Sequence, residues 1–154
     1  MALYEELDLD RPFSDVRHEA VLNIVHTANL VASVGAALFR KFDLTEAQFN
    51  ALFALKNKER EVTQSDLGKR LVVSRAGITS ILDRLEKKGL VVRKRVPGNR
   101  RVNHVELTSK GDKLVAKLEP RYRRAIHAAT AGLNAKECRT LIEYLERVRT
   151  ETRK

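Results

Sequence analysis

Apolar residues in this chain recur mostly three and four positions apart, the spacing of one buried helix face. Ser14 precedes a segment running to about Phe42, with Val21, Leu22, Val25, Val31, Val34 and Leu38 on one side. Thr45-Glu46-Ala47-Gln48 has the form of a capping box and opens a helix carrying Phe49, Leu52, Phe53 and Leu55. Thr63-Gln64-Ser65-Asp66 opens a short third helix with Leu67 and Leu71 inward, and Ser74 opens a fourth on the stripe Ile78, Ile81, Leu82 and Leu85. Gly89 falls where a C-cap is needed. The period then changes. Leu90-Val91-Val92 and Val102 to Leu107 are β-branched and partly alternating around the turn former Pro97-Gly98-Asn99, which predicts a β-hairpin. Thr108 opens a further helix, which Pro120 is expected to kink or interrupt. Asn134-Ala135-Lys136-Glu137 is another capping box, followed by Cys138, Leu141, Ile142, Leu145 and Val148. The predicted order is four helices, a hairpin and two helices, a mainly α chain with one small β element (α+β).

Composition narrows what such a chain does. Its 154 residues suffice for one domain, and 43% hydrophobic against 32% charged residues predicts a folded, well-solvated chain. The longest apolar stretch, Ala28 to Phe39, is interrupted by Asn29, Ser33 and Gly35 and reads as too short for a bilayer, so no membrane partner is expected. Met1 to Asp10 is acidic rather than a cationic leader, and one cysteine makes no intrachain disulfide, which leaves the cytoplasm as the expected compartment.

The net charge of +10 is unevenly placed. Residues 69–101 hold eleven Lys or Arg against Asp83 and Glu86, +9 from 33 residues, leaving about +1 for the other 121. This is where the two short helices and the hairpin fall. The second helix presents Ala76, Thr79, Ser80, Asp83 and Lys87 outward, with Arg75, Gly77 and Arg84 on the flanks. Such a helix fits a major groove, roughly 12 Å wide, with its N-terminal residues at base edges. The hairpin has five Lys or Arg and no acid between Arg93 and Arg101, enough to reach phosphates or the adjacent minor groove. Double-stranded DNA is the expected partner. No glycine-rich phosphate loop, nucleophile elbow or triad-like grouping around Cys138 suggests an enzyme, and His18, His26, His104 and His127 are too scattered for a metal site. No cofactor is expected.

The residues also resemble the MarR-type winged helix-turn-helix regulators. The resemblance lies in Leu44-Thr45-Glu46-Ala47-Gln48-Phe49, Thr63-Gln64-Ser65-Asp66-Leu67, Val73-Ser74-Arg75, Leu82 to Val91, Asn99-Arg100-Arg101 and Leu107 to Gly111, and covers about residues 15–150. It implies a single domain over 1–154, with a winged helix-turn-helix at 45–107 flanked by dimerisation helices at 14–42 and 108–152. It further implies a homodimer on a pseudo-palindromic operator, most often a repressor, released by a small-molecule effector. The alternative is an architectural binder that neutralises phosphates without reading sequence.

The expected DNA contacts are Gln64 and Ser65 from the third helix; Ser74, Arg75, Ala76, Gly77, Thr79, Ser80 and Arg84 from the fourth; and Arg93, Arg95, Asn99, Arg100 and Arg101 from the hairpin, with Arg101 matching the family's minor-groove arginine. Arg84 is equally placed to pair with Asp83 or Glu86. Asn99 stands where the family usually has Asp, so it cannot form the ion pair that orients nearby arginines. Ala76 and Gly77 replace the hydroxyl residues common in the family, leaving Ala76 only an apolar contact such as a thymine methyl. The resemblance places Phe49, Phe53 and Tyr122 along a ligand pocket, although their spacing equally fits plain core. Cys138 shares the stripe of Leu141, Ile142 and Leu145 and reads as a buried packing thiol rather than a redox sensor.

Overall fold

In the computed structural model the described residues are 2–58, 61–96 and 99–154, with the backbone alone at 96 and 99–102. Seven helices and one hairpin follow in the order α1 (Leu3–Glu6), α2 (Val16–Arg40), α3 (Glu46–Lys56), α4 (Gln64–Arg70), α5 (Arg75–Lys87), β1 (Val91–Val96), β2 (Asn99–Leu107), α6 (Ser109–Ala129) and α7 (Ala135–Thr152). The α+β reading therefore holds. Most of the caps are the residues the pattern marked. Thr45 and Gln48 exchange hydrogen bonds across the first turn of α3, Thr63 and Asp66 do so at α4, and Asn134 and Glu137 at α7. Ser74 accepts from the Gly77 amide at 3.1 Å, and Thr108 from the Gly111 amide at 3.0 Å. Each satisfies an amide that has no carbonyl one turn earlier.

Three expectations need correction, and one short helix was not foreseen. The cap of α2 is Asp15, accepting from the Arg17 amide, not Ser14. Helix α2 runs unbroken for 25 residues and is, by length and composition, apolar enough to cross a membrane; Asn29, Ser33 and Gly35 do not interrupt it, because helical hydrogen bonds ignore side-chain polarity. Helix α6 runs on through Pro120, so of the expected kink or interruption the interruption does not occur. Proline there removes the hydrogen bond to the Ala116 carbonyl, and both residues are exposed, so water can replace the lost donor. Finally, α1 carried no periodic signal. It is four residues long, with Leu3 buried and Glu6 3.3 Å from His26 on α2.

One core gathers the C-terminal end of α2, helices α3 to α5, the hairpin root and the first half of α6. Phe39 stacks on Phe49 with ring centres 4.4 Å apart, and Tyr122 closes on Phe49 at 4.9 Å. Leu67, Ile78, Leu82 and Leu85 lock α4 against α5. Gly68 permits that approach, since a Cβ on it would meet Ile78 Cγ2 at 3.3 Å. The hairpin pairs Val91 with Leu107 through Arg95 with Asn103, and its register slips between Arg95 and Val96. The Val105 amide donates to the Val62 carbonyl at 2.9 Å, so the segment before α4 covers the second edge of β2. No residue of α7 is buried, and in α2 only Phe39 is.

Candidate nucleic-acid interface

Helix α5 buries Ile78, Leu82 and Leu85 and turns the opposite face outward. Arg75, Ala76, Ser80, Asp83 and Arg84 are exposed there, with Thr79 half-buried, along about 14 Å of helix. The turn that aims this helix is Leu71-Val72-Val73, and Val72 adopts φ 53° while 88% exposed. A β-branched residue in the left-handed region is strained, so the turn is held by its surroundings. Those are the packed α4–α5 faces and the bond from the Val73 amide to the Gly68 carbonyl at 3.1 Å.

Several expected contact residues are already engaged within the fold. Gln64 Nε2 donates to Thr79 Oγ1 at 2.7 Å, and that hydroxyl donates to the Arg75 carbonyl at 2.9 Å. Together they tie the start of α4 to α5, a pairing that no local pattern signals because the residues are 15 apart. Ser74 spends one lone pair on the cap and keeps its proton for an outside acceptor. Gly77 is half-buried, and a Cβ on it would face Ser74 Oγ at 3.3 Å and Val73. Its missing side chain therefore points into the turn rather than toward a ligand. Ser65, Arg75, Ala76, Ser80 and Arg84 stay exposed.

The hairpin divides its cations. Arg93, expected to face outward, instead reaches back to α5: Nε and Nη2 donate to Glu86 Oε2 at 3.1 and 2.6 Å, and Nη2 to Asp83 Oδ1 at 2.5 Å. The Arg93 amide adds a bond to Glu86 Oε1 at 3.1 Å. Strand alternation explains this, because Arg93 shares the inward face of Val91. Its side-chain hydrogen bond holds the Glu86 carboxyl below its ordinary pKa against the opposing effect of burial, and the same bond raises the guanidinium. The acids expected to face Arg84 thus belong to Arg93. Lys94 pairs with Glu106 at 2.5 Å, a hydrogen bond that lowers that carboxyl too. Arg95 is exposed, with no ion pair among the described residues. The side chains of Asn99, Arg100 and Arg101 lie outside the described residues.

The expected ligand-pocket residues separate. Phe49 is 0% exposed and belongs to the aromatic stack, with Phe53 beside it. Only Tyr122 of the three lines a groove of about 520 Å³ between α2, α6 and α7, where Ile24, Val31, Phe39, Ile126 and Leu141 surround it. Phe39, which the pattern did not single out, takes the place expected for Phe49. Cys138 is half-buried rather than buried, on a helix that has no buried residue.

Comparison with known proteins places this geometry. Residues 42–102 match the model of the MarR family. The uncharacterized HTH-type transcriptional regulator YdgJ of Bacillus subtilis is 36% identical over 89 residues, 58% of this chain and 54% of that protein. The HTH-type transcriptional regulator MhqR of the same organism is 31% identical over 108 residues, 70% of this chain and 74% of the relative. Among solved structures, AbsC, a MarR family transcriptional regulator from Streptomyces coelicolor, superposes with a TM-score of 0.84 at 21% identity, covering 93% of this chain and 98% of its own. An E. coli MarR variant complexed with operator DNA gives 0.75 at 27% identity over 88% and 99%. Bordetella bronchiseptica BpsR, whose DNA binding is regulated by 6-hydroxynicotinic acid, gives 0.73 at 25% identity over 86% and 98%.

Proposed function

The chain belongs to the MarR family and is a DNA-binding transcriptional regulator, like the relatives it matches and unlike an enzyme, and from that premise we propose that it acts as a cytoplasmic homodimeric repressor released by a small-molecule effector. The observation that carries the reading is the bare outer face of α5 beside a hairpin anchored to that helix. Arg75, Ala76 and Ser80 meet base edges at the N-terminal half of α5, and Ser65 with the Ser74 hydroxyl meets flanking phosphates. Arg84 is freed for phosphate because Arg93 takes Asp83 and Glu86. Arg95, Arg100 and Arg101 supply the wing's contacts. Thr79 and Gln64 hold α4 and α5 at a fixed angle, and Gly77 sets the turn.

Dimerisation is supported by what the single chain leaves uncovered. Helix α7 presents Leu141, Ile142 and Val148 at 44%, 53% and 45% exposure, and α2 presents Val21, Val25, Val31 and Val34 at 50–54%. Apolar faces of this extent mark an interface. The apolar stretch of α2 has no buried residue, and a second copy would cover that face while leaving the Phe39–Phe49 stack in place. The effector reading is supported by the apolar groove at this junction and by the ligand-regulated relative BpsR.

Footprinting and selection from genomic DNA test the proposal. A two-fold dimer with two reading helices selects an inverted repeat with half-site centres about 10 bp apart. Equal affinity for scrambled duplexes at physiological salt would sink the regulatory reading and leave a sequence-tolerant architectural binder.

A further inference from the structure

The outer face of α6 carries a charge pattern that the reading helix and wing do not use. Lys110, Lys113, Lys117, Arg121 and Arg124 fall three and four residues apart, so they form one stripe about 21 Å long. All five are exposed, and none has a carboxylate within ion-pair distance among the described residues. The two acids on the helix are committed elsewhere: Asp112 to Lys56 at 2.5 Å and Glu119 to Arg123 at 3.2 Å. Lys117 and Arg121 both lie over the Phe42 ring, at 5.7 and 5.3 Å from its centre, which holds two like charges side by side. Like charges at this spacing oppose helix formation, so the stripe is a cost in the isolated chain that a polyanion would offset. The stripe lies away from the residues that face the duplex already read. The reading face begins at Arg75, while the stripe begins where Lys110 Nζ donates to the Lys88 carbonyl at 2.8 Å, at the far end of α5.

We propose that this α6 stripe binds the phosphate backbone of a second DNA duplex, so that the regulator bridges two DNA segments. The length of the stripe spans about six phosphates of one strand at 3.4 Å of axis each. The ring that this face offers among the described residues, Phe42, is capped by cations and so is a poor apolar anchor for a peptide.

The test is capture of a fluorescent random-sequence duplex by beads carrying an immobilised duplex, with the full-length protein as the only link. Wild type is expected to capture it in a strongly salt-dependent way. The K113Q/K117Q/R121Q variant is expected to lose at least tenfold of that capture while its affinity for a single short duplex of about 20 bp stays within twofold. The K113R/K117R variant, which keeps the charge, should capture as wild type does, and circular dichroism confirms that each variant is folded. Capture by the glutamine variant equal to wild type overturns the proposal, as does absence of capture by wild type. Two further outcomes also overturn it: a loss seen only with one long duplex, which would assign the stripe to flanking DNA, and a loss seen only with phosphatidylserine vesicles, which would assign it to a membrane surface. Because the duplexes need no operator, failure to find a sequence-specific site leaves this measurement standing.

Discussion

Two backbone positions show how single residues set the geometry of the reading head. A Cβ on Gly111 would lie 2.0 Å from the Leu90 carbonyl oxygen, a backbone atom that also accepts from the Thr108 amide at 3.1 Å. Nothing there can move without separating α6 from the hairpin root. Gly111→Ala is therefore expected to cost about 3 kcal/mol or more, the upper range of overpacking penalties, read as a lower urea midpoint. Val72 is the opposite case. It occupies the left-handed region at φ 53° with its side chain in solvent, so glycine there sheds the Cβ conflict and loses almost no packing. The conflict is worth about 1–2 kcal/mol, and the added freedom of glycine in the unfolded chain takes back about 0.5–1 kcal/mol. V72G should thus raise the urea midpoint slightly with an unchanged slope; a fall would show that the turn is not strained.

At the scale of elements, the wing depends on α5 through Arg93. R93A removes no outward cation, so it should weaken DNA binding by loosening the wing while leaving the salt dependence unchanged. R95A should instead flatten the salt slope by about one unit, the loss of one phosphate contact. Equal slopes for R95A and wild type would place Arg95 outside the interface. The Glu86 end of the same tie has a pH signature. Its carboxyl pKa is depressed in the folded chain, so its contribution is fully present above the unfolded value of about 4.3 and is lost as pH falls through the lower folded value. The difference in stability between wild type and E86Q should accordingly be flat from neutral pH to about pH 5 and shrink below about pH 4, by urea titration at each pH. Most elements were legible because their signals are local: the Thr45, Thr63, Ser74 and Asn134 caps, the Ile78–Leu82–Leu85 stripe, and the change of period after Gly89. The roles of Arg93, Gln64 and Thr79 were not, since each is decided by a residue ten or more positions away or by which side of a pleat a strand position faces.

The molecule as a whole is where local patterns are least informative, because they do not say which apolar stripe meets which. Phe49 and Phe39 both sit on helical apolar faces and both are buried in the core, yet only packing brings the second, and not the first, to the wall of the groove. Charge averaging hides structure in the same way. The near-neutral balance outside residues 69–101 sums an acidic N-terminal stretch and the basic stripe of α6, which lie on different elements. The exposed apolar residues of α2 and α7 are the surfaces that the proposed homodimer would cover. This yields a prediction for the whole assembly. Wild type should sediment as a dimer, and its melting temperature should rise with protein concentration, since association stabilises the folded state by mass action. The L141D/I142D variant places two charges on the uncovered face of α7, where dimer formation would bury them without a partner. It should sediment as a monomer with its winged-helix core still folded, because α7 contributes nothing to that core. Losing the second reading head removes half of the operator contacts, so affinity for an inverted repeat should fall to that for a single half-site. A monomeric wild type with a concentration-independent melting temperature would instead return α2 and α7 to some other covering surface, and the inverted repeat would lose its physical reason.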